Sequence, residues 1–152
     1  TGKARQAGMT VTLRPGARLR LDETYIYSGL RTGKRSEVPG VAEGTSVFNN
    51  HLVRSKVNYQ FTRRHSLRFI FDYNSVLPNT SLVDLEKEKR VGLDFLFTYM
   101  VNPGTVFYAG YTDLYENYRL NPLISPELER IPNPTLNTGR QFFVKLSYLL
   151  RF

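Results

Sequence analysis

The sequence predicts an all-β protein: an antiparallel up-and-down sheet of about seven strands, forming the C-terminal portion of a transmembrane outer-membrane β-barrel. Three observations predict it. Apolar and polar residues alternate with period two in seven stretches, as in strands whose two faces meet different surroundings. The connections between those stretches are alternately tight and long. The apolar face is rich in ring side chains: the 152 residues include 10 Tyr and 10 Phe and no Trp.

The first stretch, near 8–14, sets Met9, Val11 and Leu13 on one face. The second, near 18–30, sets Leu19, Leu21, Tyr25 and Tyr27 against Arg18, Arg20, Asp22 and Thr24. The third, near 50–61, sets Val53, Val57, Tyr59 and Phe61 against Arg54, Lys56, Asn58 and Gln60. The fourth, near 66–76, opposes Leu67, Phe69, Phe71 and Tyr73 to Ser66, Arg68, Asp72 and Asn74. The fifth, near 90–101, opposes Val91, Leu93, Phe95, Phe97 and Tyr99 to Arg90, Gly92, Asp94 and Thr98. The sixth, near 105–116, is aromatic on both sides and leaves its face open. The last, near 140–152, places Phe142, Val144, Leu146, Tyr148, Leu150 and Phe152 opposite Lys145, Ser147 and Arg151.

"RPGAR" (14–18), "TRRH" (62–65) and "NPGT" (102–105) are tight connections, and Gly and Pro supply the backbone angles that two of them need. Residues 31–50, 77–89 and 117–139 are long and polar. Tight turns cannot make a crossover, so neighbouring strands are antiparallel. The best helix candidate, "LVDLEKEKR" (82–90), is short and sits in a long loop. No apolar run reaches the roughly 18–20 residues of a spanning helix, whereas a spanning strand needs only about 9–11.

A soluble β-sandwich also fits seven antiparallel strands. The barrel is favoured because short turns fall at one end and long loops at the other, as in outer-membrane barrels. The aromatic side chains also suit girdles at the two lipid–water boundaries. The opposite face, with Arg54, Lys56, Arg68, Asp72, Asp94 and Lys145, suits a hydrated lumen. A three-residue turn at 62–64 would pair Arg54 with Asp72 and Asn58 with Arg68 across two strands. Counting strand directions back from the last leaves the first and last parallel. Seven strands therefore cannot close an all-antiparallel barrel, and an odd number is expected upstream of Thr1. The opening "TGKARQAG" has no initiator Met and no apolar leader core, which points the same way.

The final stretch "FFVKLSYLLRF" resembles the assembly signal that ends bacterial outer-membrane barrels, in which alternating apolar residues lead to a terminal aromatic. The matching positions are Val144, Leu146, Tyr148, Leu150 and Phe152. The resemblance implies recognition by the barrel assembly machinery through strand pairing. "KVNYQFTRRHSLRFIFDYN", "NPGTVFYAGYTD" and "GRQFFVKLSYLLRF" resemble the end of a bacterial family of unknown function. In that family a family 9 carbohydrate-binding-like domain precedes a C-terminal barrel. The resemblance implies an upstream binding domain in the same chain and carries over no catalytic residue.

The net charge is +8, from 21 Lys and Arg against 13 Asp and Glu. The basic residues are scattered over seven strands, opposite the aromatics, whereas a nucleic-acid platform needs both on one face. With no Cys there is neither a disulfide framework nor a thiolate metal site. Zinc-protease, Walker, dinucleotide, EF-hand and G-x-S-x-G patterns are absent. His51 and His65 are expected at opposite ends of one strand, too far apart to share a metal, with His65 a solvated turn residue. No cofactor is expected. "NTS" (79–81) matches a glycosylation sequon, which means little in a bacterial outer-membrane protein. A net-basic lumen would favour anionic solutes. The loops "RTGKR" (31–35) and "EKEKR" (86–90) would offer cations to lipopolysaccharide phosphates. The leading expectation is a membrane anchor, pore or conduit. The alternatives are a soluble sandwich that binds glycans, or the barrel of an outer-membrane enzyme whose chemistry lies elsewhere.

Overall fold

The computed structural model describes residues 2–33, 40–123 and 128–149. Seven long strands form one sheet in sequence order: β1 (Gly2–Gly16), β2 (Leu19–Thr32), β3 (Ser46–Gln60), β4 (His65–Pro78), β5 (Glu88–Asn102), β6 (Thr105–Glu116) and β9 (Leu136–Tyr148). All six pairings are antiparallel. Two short strands, β7 (Tyr118–Leu120) and β8 (Leu128–Arg130), make a separate two-stranded sheet inside the last long connection. β1 and β9 are the edges of the large sheet and are not paired with each other.

The period of two decides the faces. From β1 to β6 the odd positions share one side, since Leu21, Val57, Phe69, Phe95 and Tyr111 lie in one cross-strand row. In β9 the even positions join that side, because Tyr111 faces Phe142. This aromatic face also holds Phe71, Phe97, Leu146 and Tyr148, as the alternation predicts. It settles the face of β6: Phe107, Ala109 and Tyr111 point with Phe95. The other face is polar, and the sheet curls toward it. A hollow of about 610 Å³ and two smaller ones open on that side.

The register carries a slant. The cross-strand row that begins at Leu19, the first residue of β2, passes Tyr59, Leu67 and Phe97 and reaches Ala109, the fifth residue of β6. The tight turns thus step by about one residue per strand, which at ~3.3 Å rise and ~4.8 Å spacing is a slant of about 35°. Closed barrels have strand tilts of about 35–45°.

Among the described residues no hydrophobic side chain is fully buried. The molecule is a single layer held by its hydrogen-bond ladders and by contacts along each face. Among the described residues the other sheet is the two-stranded β7–β8, too small to cover the aromatic side of seven strands.

Several boundaries differ from expectation. β1 begins at Gly2 instead of near residue 8, because "GKARQAG" pairs with Gly29–Thr32 and its neighbours in β2 despite lacking alternation. β3 begins at Ser46, and β9 (Leu136–Tyr148) begins before the expected 140, while 150–152 lie outside the described residues. The segment 82–90 forms no helix: its last three residues open β5. His51 and His65 stand on different strands, since His65 starts β4. They remain far apart: His51 faces Ser75, ten positions along β4 from His65.

Candidate functional site

The polar face carries the six predicted charges together. The tight turn after β3 fixes the register, and Arg54 stands opposite Asp72 and Asn58 opposite Arg68, as the turn length predicts. The Arg54 Nε lies 2.9 Å from Asp72. One row further toward the tight turns, Asp22, Lys56, Ile70, Asp94 and Thr112 run side by side. Thr112 donates to Asp94 at 2.6 Å, and Asp22 takes bonds from Thr12 at 2.8 Å and Arg20 at 3.0 Å. Lys145 stands opposite Tyr108. Apolar groups interrupt this face. Phe143 lies flat over Gly110, where an added Cβ would overlap its ring.

The aromatic face holds Val144, Leu146 and Tyr148 on the edge strand, 56%, 65% and 66% exposed. The remaining two positions of the proposed assembly pattern, Leu150 and Phe152, lie outside the described residues. Rings pair along the face: Phe69 and Phe95 are 4.6 Å apart between centroids. His65 is less solvated than a turn residue would be. Its ring stacks on Tyr99 at 4.5 Å, and Nδ1 bonds the Thr62 hydroxyl at 2.8 Å.

Two polar intrusions in this aromatic face were not foreseen. Glu23 accepts from Ser55 at 2.7 Å in the row that also holds Val11, Phe71 and Leu93. Asp113, 4% exposed, accepts from the hydroxyls of Tyr111 at 2.8 Å and Tyr115 at 3.0 Å, from Asn137, and from Arg140 at 3.3 Å. The i±2 spacing of Tyr111 and Tyr115 around Asp113 was the sequence signal for this cluster. The carboxylate is buried, and four side chains donate to it.

The long-loop end is ordered by Asn117, 1% exposed. Its side chain accepts from the Lys89 amide at 2.8 Å and donates to the carbonyls of Lys87 and Ile131 at 2.8 and 3.0 Å. Arg130 donates to the same Asn117 oxygen at 3.0 Å and to Glu86 at 2.9 Å, with its guanidinium 3.9 Å from the Tyr118 ring centre. Lys89 reaches the Pro132 carbonyl at 2.7 Å. Across the small sheet, Arg119 and Asn121 both donate to Glu129 and hold its carboxyl below the usual carboxylate range.

At the tight-turn end, the hollow of about 610 Å³ is lined by Arg14, Arg18, Arg20, Asn58, Arg68 and Thr98, among others, and by no carboxylate. Among the described residues no cluster of three His, Asp or Glu side chains is placed to hold a metal ion.

No family model, curated protein or solved structure matches the chain. The class that its own geometry defines is a single-layer, seven-stranded antiparallel sheet, slanted in register, with one aromatic face and one charged, concave face.

Proposed function

We propose that the chain is a stretch of wall from a bacterial outer-membrane β-barrel, which anchors its parent protein and lines a pore or conduit. One observation carries this reading: a largely apolar face, aromatic-rich from β2 onward and interrupted mainly by Glu23–Ser55 and the Asp113 cluster, spans the sheet, and no hydrophobic side chain is buried beneath a covering layer among the described residues. An apolar face of that extent in water marks an interaction surface, and lipid is the surrounding that covers all seven strands at once. The dimensions agree. On β5 the aromatic face runs from Val91 to Tyr99, about 26 Å along the strand and ~22 Å along the axis of a barrel tilted by about 35°. The apolar band of outer-membrane barrels is about 25 Å tall.

β1 and β9 run in the same direction, as the first and seventh members of an alternating sheet. An odd number of further strands between them would close the wall with antiparallel pairs throughout. The free edge of β9, with Val144, Leu146 and Tyr148 beside it, is a template for strand addition by the assembly machinery. The long-loop end would face outward toward lipopolysaccharide. The family resemblance supplies the remaining part of the proposal, an upstream carbohydrate-binding-like domain for which the barrel is the anchor.

The test is membrane extraction. The protein, expressed with an export signal, is expected to stay in the outer-membrane pellet through a carbonate wash and to be released only by detergent. Release by carbonate alone would overturn the reading and return the soluble sandwich.

A further inference from the structure

The tight-turn end of the concave face gathers more positive charge than its acidic partners balance. Arg20, Asn58, Arg68 and Leu96 form one straight cross-strand row, so the two guanidinium stems rise from strands about 10 Å apart with an amide between them. Arg14, near the end of β1, and Arg18, in the β1–β2 turn, line the same hollow of about 610 Å³. Of the four, Arg20 alone makes an ion pair, with Asp22 at 3.0 Å, while Asp94 stands diagonally across from Arg68 and shares a smaller hollow with it. Arg14, Arg18 and Arg68 make no ion pair among the described residues. Ser66, Gln60 and Thr98 add neutral hydrogen-bonding groups to the lining.

Four guanidinium groups around one hollow repel each other, and only Asp22, paired with Arg20, offsets part of that repulsion by an ion pair among the described residues. Each presents a planar fork of donors that matches two oxygens of a phosphate or carboxylate. Lysine-poor, arginine-rich linings of this kind suit oxyanions better than halides, because the fork recognises shape as well as charge. Rings of Arg and Lys are the usual lining of anion and phosphate pores.

We propose that this hollow binds a compact polyanion, a solute carrying two or more phosphate or carboxylate groups, through Arg14, Arg18, Arg20 and Arg68. Its position at the short-turn mouth of a pore rests on the barrel reading. The site itself rests only on the concave face.

The experiment is calorimetric titration of the full chain, folded in a zwitterionic detergent at low ionic strength, with inorganic pyrophosphate and, separately, citrate. Saturable one-to-one binding is expected, weakening as salt is raised. Arg68→Gln and the double variant Arg14→Gln, Arg18→Gln are each expected to weaken it by about tenfold or more, the scale of a lost charge-assisted hydrogen bond. Arg119→Gln, which removes the same charge at the opposite end, is expected to change it less than twofold. Circular dichroism of each variant checks that the sheet is intact. Tighter pyrophosphate assigns the site to phosphate esters, and tighter citrate to polycarboxylates. Absence of saturable binding at millimolar anion, or an equal loss in Arg119→Gln, would overturn the site. Binding by a chain that carbonate releases keeps the site and rejects the barrel. A carbonate-resistant chain that binds neither anion does the reverse.

Discussion

The two ends of the sheet handle charge in opposite ways. At the long-loop end, cations meet acids: Arg130 with Glu86, Arg119 with Glu129, Arg90 with Glu116, Lys3 with Glu43 and, on the aromatic face, Arg140 with Asp113. Asn117 ties three backbone segments together beneath that network. At the tight-turn end, Arg14, Arg18 and Arg68 line a hollow without a carboxylate. Tight turns need few side chains to hold them, here Thr62 and Asn102, which accept from local backbone amides, because the hydrogen-bond ladder runs into the turn itself. Long connections need more, since their backbone groups must otherwise find water. The charges at the long-loop end are therefore structural, whereas at the tight-turn end only Arg20 is ion-paired, with Asp22, and Arg14, Arg18 and Arg68 make no ion pair among the described residues. The contrast can be broken or sharpened from either side.

The largest effect is expected at Asn117. Asn117→Ala removes the partner of the Lys89 amide and of the Lys87 and Ile131 carbonyls. Leaving buried backbone groups unpaired costs about 1–3 kcal/mol each, and water entering the cavity limits the total to the order of 3 kcal/mol. Hydrogen exchange at the amides of Lys89 and Ile131 is expected to quicken a hundredfold, with amides near Arg18 unchanged. Equal quickening at both ends would mean that Asn117 holds the whole sheet, and the contrast would fail.

Next comes Arg130→Met, which keeps most of the stem and loses the bonds to Glu86 and Asn117 and the stacking on Tyr118. Partly exposed interactions of these kinds sum to about 1–2 kcal/mol. The expected readout is faster proteolysis within residues 117–135, with cleavage of the seven-stranded sheet unaltered. By contrast, Arg14→Gln and Arg18→Gln together are expected to leave the denaturation midpoint unchanged, within about 0.5 kcal/mol, or to raise it slightly by relieving repulsion. A clear loss of stability there would make those arginines structural and erase the difference between the ends.

This division was only partly legible in the sequence. Long alternating strands around short turns read directly, because a fixed turn length fixes the register and the register fixes the faces. That is why Arg54 opposite Asp72 and the shared side of Phe69 and Phe95 could be foreseen. β7 and β8 could not: "YRL" and "LER" are too short to show a period. Asn117 was invisible because its partners, at 87, 89 and 131, come from two segments with no common spacing. Glu23 and Asp113 break the alternation, and only their cross-strand partners explain how each is accommodated. The arginine hollow needed both the curl of the sheet and the row that joins Arg20 to Arg68.

The smallest effect is set by pH. Glu129 sits on β8 with Arg119 at 2.8 Å and Asn121 at 3.2 Å, and these donors hold its carboxyl below the ordinary value of 4.5. A carboxylate whose folded pKa is depressed stabilises the folded form wherever it is ionised in both states, that is, above its unfolded value. That contribution begins to fade as pH falls past 4.5 and is gone once the pH is below the depressed folded value. The β7–β8 pair is therefore expected to be tight at neutral pH and to loosen in acid. Amide exchange of Arg119 and Leu128, corrected for its intrinsic acid dependence, is the measurement. Glu129→Gln is expected to flatten the response while leaving some of the hydrogen bonding to Arg119 in place. Because the pair is half exposed, raised salt should mimic mild acid by screening Arg119 from Glu129. The tight-turn hollow, with no carboxylate in its lining, is expected to keep its geometry across the same range. A matching acid transition there, larger than a local change at the Arg20–Asp22 pair, would reveal a further carboxylate partner for the arginines and close the gap between the two ends.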